Sequence, residues 1–279
     1  MRFVTWEQMV ADATVLAGML RGRDLLGVVA IPRSGYFPGA VVAQILGLPM
    51  VGLDHFAQHG FTQSPAVGRM AGHAVPGAGR VLVLDDSVYR GAAMDQARRV
   101  LKESGRWDPL FAALYVCEDT PEAYKPDVGL TLCPRPRLFA WNWLGHSDLS
   151  RTLFDFDGVF CPDGPADESP EYGAYLAGAP ALHLPTVPIR GIVTHRLEPW
   201  RETSERWLAA AGIKYGSLRM HPAKSPNERR AQAYGVWKGE VYAADEEAML
   251  FVESSSTQAK MIAEIAHKPV LCVHDWVVY

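Results

Sequence analysis

The sequence predicts two α/β domains in series, each a mostly parallel sheet flanked by helices. Three observations predict this. Apolar runs of strand length alternate with helical stretches through most of the chain. Runs such as 81–84 (VLVL) are wholly apolar, the pattern of a strand buried on both faces of a parallel sheet. The alternation lapses over 118–148, which is richer in proline and aromatics, and then restarts. The boundary falls at 147/148, giving domains 1–147 and 148–279, joined by a short linker.

The elements follow in order. Residues 5–21 read as a helix with Thr5 as N-cap. The apolar run 25–31 is a strand, broken by Pro-Arg-Ser-Gly. Residues 38–46 are helical in composition, and 49–53 form another short strand. The polar, glycine-containing stretch 55–75 is a loop. Strand 81–84, helix 95–104 and strand 110–117 complete the first sheet. The second sheet takes strands at 152–156, 189–194, 216–220, 249–253 and 270–273. Helices are expected at 199–211, 227–236 and 258–267.

Composition narrows the functional classes. A chain that is 48% hydrophobic and 21% charged has ordinary cores. Its net charge of -4, with no long basic run, argues against a nucleic acid polymer as partner. No apolar stretch reaches the roughly 20 residues of a membrane span, and the N-terminus lacks a charged-then-apolar leader pattern. The four cysteines form no CxxC pair, so reduced thiols and a cytoplasmic location are expected.

Two acidic strings carry the chemistry. In VLVLDDSVYRGAAM (81–94), Asp85 and Asp86 stand at the carboxyl end of a buried strand, where ligands bind in open α/β sheets. Adjacent carboxylates can accept hydrogen bonds from two vicinal sugar hydroxyls. The stretch from Ser87 to Ala93 turns into a helix whose free N–H groups suit a phosphate. Gly91 allows close backbone approach and Arg90 adds a cation. In LFDFDGVFCPD (153–163), Asp155 and Asp157 flank one residue at a strand end, and Gly158 permits the turn that brings both to a ligand. One carboxylate can attack phosphorus and the other can protonate the leaving oxygen. Mg2+ would join nucleophile and phosphate.

The first string resembles the phosphoribosyl-pyrophosphate (PRPP) motif of type I phosphoribosyltransferases, its Asp-Asp-Ser-x-x-Arg-Gly most like that of amidophosphoribosyltransferases. Ala92 and Ala93 stand where that family usually has threonines. VVAIPRSGYFPGA (28–40) resembles the family's pyrophosphate loop. The resemblance implies contacts from Arg33, Ser34 and Gly35 to pyrophosphate, with a cis peptide, if one exists, at Arg33–Ser34. It also makes 55–75 a closing loop carrying Arg69 and His73. Trp141 or Trp143, in LFAWNWLGH (138–146), would stack on a base or pack in the core. Type I relatives are often dimers, so a homodimer is possible.

The second string resembles motif I of the haloacid dehalogenase (HAD) superfamily of phosphatases. The resemblance implies Asp155 as nucleophile and Asp157 as general acid, then base. Thr194 and Lys238, with Lys224 as a substitute, would neutralise the phosphoryl oxygens. Asp155, the Asp157 carbonyl and Glu253 would hold Mg2+. Arg196, Arg201 and Arg229 read as surface or ion-pair residues, Arg196 with some chance of touching substrate. The stretch between motifs I and II is too short for the usual cap, so a minimal-cap Rossmannoid fold is expected. Together the resemblances imply a bifunctional enzyme that transfers phosphoribosyl from PRPP to a nitrogenous base and dephosphorylates the nucleotide or a related monoester. The alternative is a phosphatase whose first domain only senses PRPP or a nucleotide.

Overall fold

The computed structural model describes residues 1–61, 78–165, 169, 171–231 and 233–279. Its chain divides into two compact units, Arg2–Trp141 and Asn142–Tyr279, the latter with Met1. The break lies a few residues ahead of 147/148.

In the first unit the elements run β1 (Arg2–Val4), α1 (Trp6–Leu20), β2 (Val28–Ala30), α2 (Tyr36–Leu46), β3 (Met50–Gly52), α3 (Leu53–His59), β4 (Gly79–Val88), α4 (Ala92–Ser104), β5 (Trp107–Val116), β6 (Val128–Leu132) and β7 (Arg137–Phe139). Five strands form a wholly parallel sheet in the order β3-β2-β4-β5-β6, and β1 pairs with β7 beside it. Thr5 caps α1, its side chain accepting from the Gln8 N–H. Val81, Leu82, Val83 and Leu84 are fully buried, as the apolar run predicts. Each such side chain contributes roughly 1.5–3 kcal/mol. Layers of apolar side chains cover both faces of this sheet.

Differences from the sequence reading have local causes. β4 does not stop at Leu84 but continues through Asp85, Asp86 and Ser87, because β5 supplies a ladder partner as far as Val116. The start of the expected loop 55–75 is α3, and Arg69 and His73 lie outside the described residues. The non-proline cis peptide is Pro32–Arg33, one bond before the expected Arg33–Ser34.

The second unit contains β8 (Thr152–Phe154), α5 (Tyr172–Gly178), β9 (Gly191–Leu197), α6 (Arg201–Ala210), β10 (Leu218–His221), α7 (Pro226–Arg230), α8 (Val236–Ala243), β11 (Leu250–Glu253), α9 (Ser256–Ala266), β12 (Val270–Cys272) and β13 (Val277–Val278). The sheet order is β10-β9-β8-β11-β12-β13, parallel except for the last strand. The single helix expected at 227–236 is instead two short helices. Gly235, at φ 101°, starts α8 afresh and places Lys238 on it. No helix among the described residues is long and apolar enough to cross a membrane.

Candidate functional sites

Each parallel sheet has a switch point, where successive strands go to opposite sides and leave a crevice at the carboxyl ends. In the first unit it lies between β2 and β4. The loops that leave these two strands are the ones carrying Arg33, Ser34 and Gly35, and Arg90 and Gly91. Gly35 sits where no side chain fits: a Cβ there would lie 2.6 Å from the carbonyl oxygens of both Ile31 and Leu84. The loop after β2 is thereby seated on the backbone of β4, and the Ile31 N–H donates to the Leu84 carbonyl at 2.9 Å. Gly91, at φ 76°, turns the chain into α4, and a Cβ there would meet the Tyr124 Cβ at 2.2 Å.

Asp85 and Asp86 are buried, and the Asp85 Oδ1 accepts from the Asp86 N–H at 2.8 Å. Burial, then the neighbouring Asp86 charge, pushes the Asp85 carboxyl well above its ordinary range. Burial likewise raises Asp86, against hydrogen bonds led by that from Trp141. Trp141 Nε1 donates to Asp86 Oδ2 at 2.6 Å, while its ring stacks on Phe139 at 4.9 Å. Trp141 thus orients an acid of the first site. Trp143 is buried in the second unit against Phe154, which excludes base stacking. Arg33 and Arg90 are exposed on the loops, Ala92 and Ala93 are exposed in the first turn of α4, and Ser34 is half-buried. Tyr89 lies under the guanidinium groups of Arg90 and Arg135, at 5.5 and 4.9 Å from the ring centre.

In the second unit the switch point is between β8 and β11. Asp155 follows β8 there, its N–H bonded to the Val252 carbonyl of β11 at 2.8 Å. A cavity of 380 Å³ opens beside it, lined by Asp155, Asp157, Lys238, Ser254, Ser255 and Gln258, and on other sides by Asp163, His195, Arg229, Arg230 and Tyr234. Lys238 is buried, with Nζ 2.7 Å from Asp155 Oδ2 and 2.8 Å from Glu253 Oε2. Burial and the Glu253 charge push the Asp155 carboxyl up, and Lys238 opposes them. Burial works against the Lys238 charge, but Asp155 and Glu253 more than offset it and hold the ammonium above its ordinary value. Lys224, the substitute cation, does not line this cavity.

Three expected roles do not match the geometry. Thr194 is fully buried inside β9, and its hydroxyl accepts from the Arg196 N–H at 3.2 Å rather than lining the cavity. Glu253 is also fully buried. Its Oε2 is held by Lys238, and its Oε1 accepts from the N–H groups of Ser254 and Ser255 at 2.9 and 3.2 Å. Ser254 Oγ points to the Asp157 carbonyl at 3.3 Å. With its oxygens committed to an ammonium and the backbone, Glu253 does not complete a hard-cation cage. No group of three His, Cys, Asp or Glu among the described residues is arranged to hold a metal ion. The set Asp155, Asp157 and Glu253 does not fit Mg2+ as arranged, and no step below is routed through one.

The third difference is Asp157. Arg196 takes both its oxygens, Nη2 to Oδ1 at 2.6 Å and Nε to Oδ2 at 2.9 Å. The guanidinium is 1% exposed, lies 3.5 Å over the Phe156 ring and donates to Ser204 Oγ at 3.0 Å. Both Asp157 oxygens are thus committed to a guanidinium, which has no proton to give. Arg196 is therefore a site residue, though it reaches substrate only through Asp157. Sequence reasoning also missed Asp163 and His195. Burial, Lys238, His221 and Arg229 push the His195 imidazole down to about 2, so it stays neutral.

No family model matches the chain. A xanthine-guanine phosphoribosyltransferase of Chromohalobacter salexigens is 33% identical over 101 residues, 36% of this chain and 62% of that protein. One of Gluconobacter oxydans is 30% identical over 118 residues, 40% of this chain and 67% of that protein. The chain thus spans just under and about two thirds of these relatives. Among solved structures, the purine phosphoribosyltransferase of Pyrococcus horikoshii is 21% identical, covering 50% of this chain and 92% of that one at a TM-score of 0.38. These relatives are purine enzymes by name, where the sequence motif resembled amidophosphoribosyltransferases. With 30% identity across two thirds of a curated relative, this chain belongs to the phosphoribosyltransferase family.

Proposed function

We propose that the first unit transfers phosphoribosyl from PRPP to a purine base, and that the second hydrolyses a phosphorylated product of that reaction. The observation that carries the first half is the meeting of two loops at the β2/β4 switch point, one closed on β4 at Gly35, the other turned by Gly91 beside Asp85 and Asp86. In this reading Asp85 and Asp86 accept from the ribose hydroxyls. The N–H groups ahead of α4 and the Arg90 cation hold the 5-phosphate, with Ser87, Ala92 and Ala93 contributing backbone. Arg33, Ser34 and Gly35 receive the pyrophosphate. The purine acceptor rests on the names of the two curated relatives.

The second half rests on Lys238 Nζ lying 2.7 Å from Asp155 inside the cavity. It follows the HAD pattern. Asp155 attacks phosphorus, an aspartyl-phosphate forms, and water releases it. The ammonium opposes the burial and the Glu253 charge that push the Asp155 carboxyl up, and it faces the phosphoryl oxygens. Phosphate release from p-nitrophenyl phosphate by the full chain tests this half; it should vanish in Asp155→Asn, and equal rates in both proteins would reject it.

A sensing role for the first unit has one observation in its favour. Ala92 and Ala93 occupy the exposed first turn of α4 and bring no hydroxyl to a phosphate. Purine nucleotide formed from PRPP and xanthine, guanine or hypoxanthine, and lost in Asp86→Asn, supports transfer. PRPP binding without any nucleotide supports sensing.

A further inference from the structure

The loop that follows β4 meets a cation that its own sequence string does not contain. Val88 closes β4. Its carbonyl accepts from the Cys117 N–H at 2.9 Å, the Thr120 hydroxyl at 3.3 Å and Arg137 Nη2 at 3.3 Å. Arg137 is buried and also donates to the Cys133 carbonyl, while the Cys133 N–H donates to the Val116 carbonyl at 2.8 Å. The segment 133–137 is thereby pinned to the ends of β4 and β5. It delivers Arg135 to the side chain that Arg90 also meets. The two guanidinium groups lie 4.9 and 5.5 Å from the Tyr89 ring centre. Both donate to its hydroxyl, Arg135 foremost, which holds the phenol below its ordinary value. Arg90 and Arg135 are exposed and Tyr89 is half-buried.

Two like charges gathered on one side chain repel each other, and an anion received between them removes that cost. A phosphate monoester carries a charge of about −1.5 to −2 at neutral pH. The same loop is short of neutral donors, because positions 92 and 93 are both alanine. A guanidinium offers a phosphate two parallel N–H donors, where a hydroxyl offers one. We propose that Arg135 is a binding residue for the 5-phosphate of PRPP, paired with Arg90 across Tyr89, and that this pair replaces the hydroxyls absent at Ala92 and Ala93. It rests on the reading of the loop after β4 as the one that holds this phosphate. Tyr89 is a positioning residue, whose ring and hydroxyl keep the two cations together. Recognition at this end of the sugar is thus by charge from two separate segments of the chain.

The test titrates the full chain with PRPP by calorimetry and then measures its displacement by ribose 5-phosphate. Arg135→Gln should weaken PRPP at least tenfold, the loss of a charge-assisted contact, and ribose 5-phosphate by the same factor. Arg99 is an exposed arginine of α4 paired with Asp95, so Arg99→Gln controls for net charge and should stay within about twofold. Tyr89→Phe should weaken PRPP several-fold, and Arg135→Gln should cost less in that background than alone; strict additivity would remove Tyr89 from its role. An Arg135→Gln effect no larger than that of Arg99→Gln overturns the inference and leaves PRPP binding standing. A loss for PRPP that ribose 5-phosphate does not share overturns it too, by placing Arg135 at the pyrophosphate. So does a rise in KM confined to the base, which would place Arg135 at the acceptor. No PRPP binding by the unaltered chain overturns both readings.

Discussion

Replacing Arg196 by methionine keeps most of the buried stem and removes the charge. Arg196 is 1% exposed, whereas the side chain of Asp157 retains 24%. Breaking a buried ion pair from one side costs about 3–5 kcal/mol, chiefly because the other charge is stranded. Water can still reach part of Asp157, which places the loss near the lower end, about 3 kcal/mol. The lost contact with Phe156 and the Ser204 hydrogen bond add about 1 kcal/mol together. Pairing the change with Asp157→Asn removes the stranded charge. The double variant should therefore be more stable than the sum of the singles by about 2 kcal/mol. Because the chain has two units, a global midpoint is a poor measure. Native-state hydrogen exchange at the amides of β8 and β9 reports the local opening energy directly. A cost below about 1 kcal/mol for Arg196→Met, or strict additivity of the singles, would refute the view that this pair fixes Asp157.

Further outcomes follow from the same geometry. Asp85 is held well above 3.8 by burial and by Asp86, so the folded protein keeps a proton that the unfolded chain has lost. Its contribution is full below the unfolded value and is lost as pH rises through the folded one. By hydrogen exchange at the amides of β4, Asp85→Asn should match the parent in acid and exceed its opening energy at neutral pH, while transfer activity falls; a gap that does not widen with pH contradicts this. Gly35→Ala forces a Cβ to 2.6 Å from two backbone oxygens, so the loop must shift, at about 1–3 kcal/mol. KM for PRPP should rise at least tenfold, and an unchanged KM would separate this loop from pyrophosphate. Lys238→Met leaves Asp155 and Glu253 buried together without their cation. A loss of about 3–5 kcal/mol is expected in β8 and β11 by hydrogen exchange, with no phosphate release; retained turnover would remove Lys238 from the site.

The alternation of apolar runs and helices was enough to read most strands of both sheets, because buried strands carry few polar interruptions, but it missed the edge strands β6 and β13. It failed where polar residues are buried by distant partners. Asp85 and Asp86 look like the end of a strand, yet β5 and Trp141 hold them inside β4. β1 and β7 pair across the length of the first unit, so neither short stretch announces itself. Residues 227–236 read as one helix, and only Gly235, with its positive φ, shows where α8 starts afresh. Asp155 and Lys238 were found through the resemblance of their strings to known motifs, and the chain folds to bring them into contact. Arg196 was not, because its partner is 39 residues away. The one available signal was an arginine in a strand that opens on Gly-Ile-Val and closes on Leu, GIVTHRL, which burial obliges to find an acid. The Glu253 reading failed because position in a motif says nothing of which hydrogen bonds its oxygens already make.

The most direct measurement follows the full chain with PRPP and guanine, xanthine or hypoxanthine, counting nucleotide, pyrophosphate and phosphate in one reaction. The expected result is PRPP consumed in step with one of the bases, with a purine nucleotide or its dephosphorylated nucleoside as product. PRPP left unconsumed with every base would contradict phosphoribosyl transfer itself.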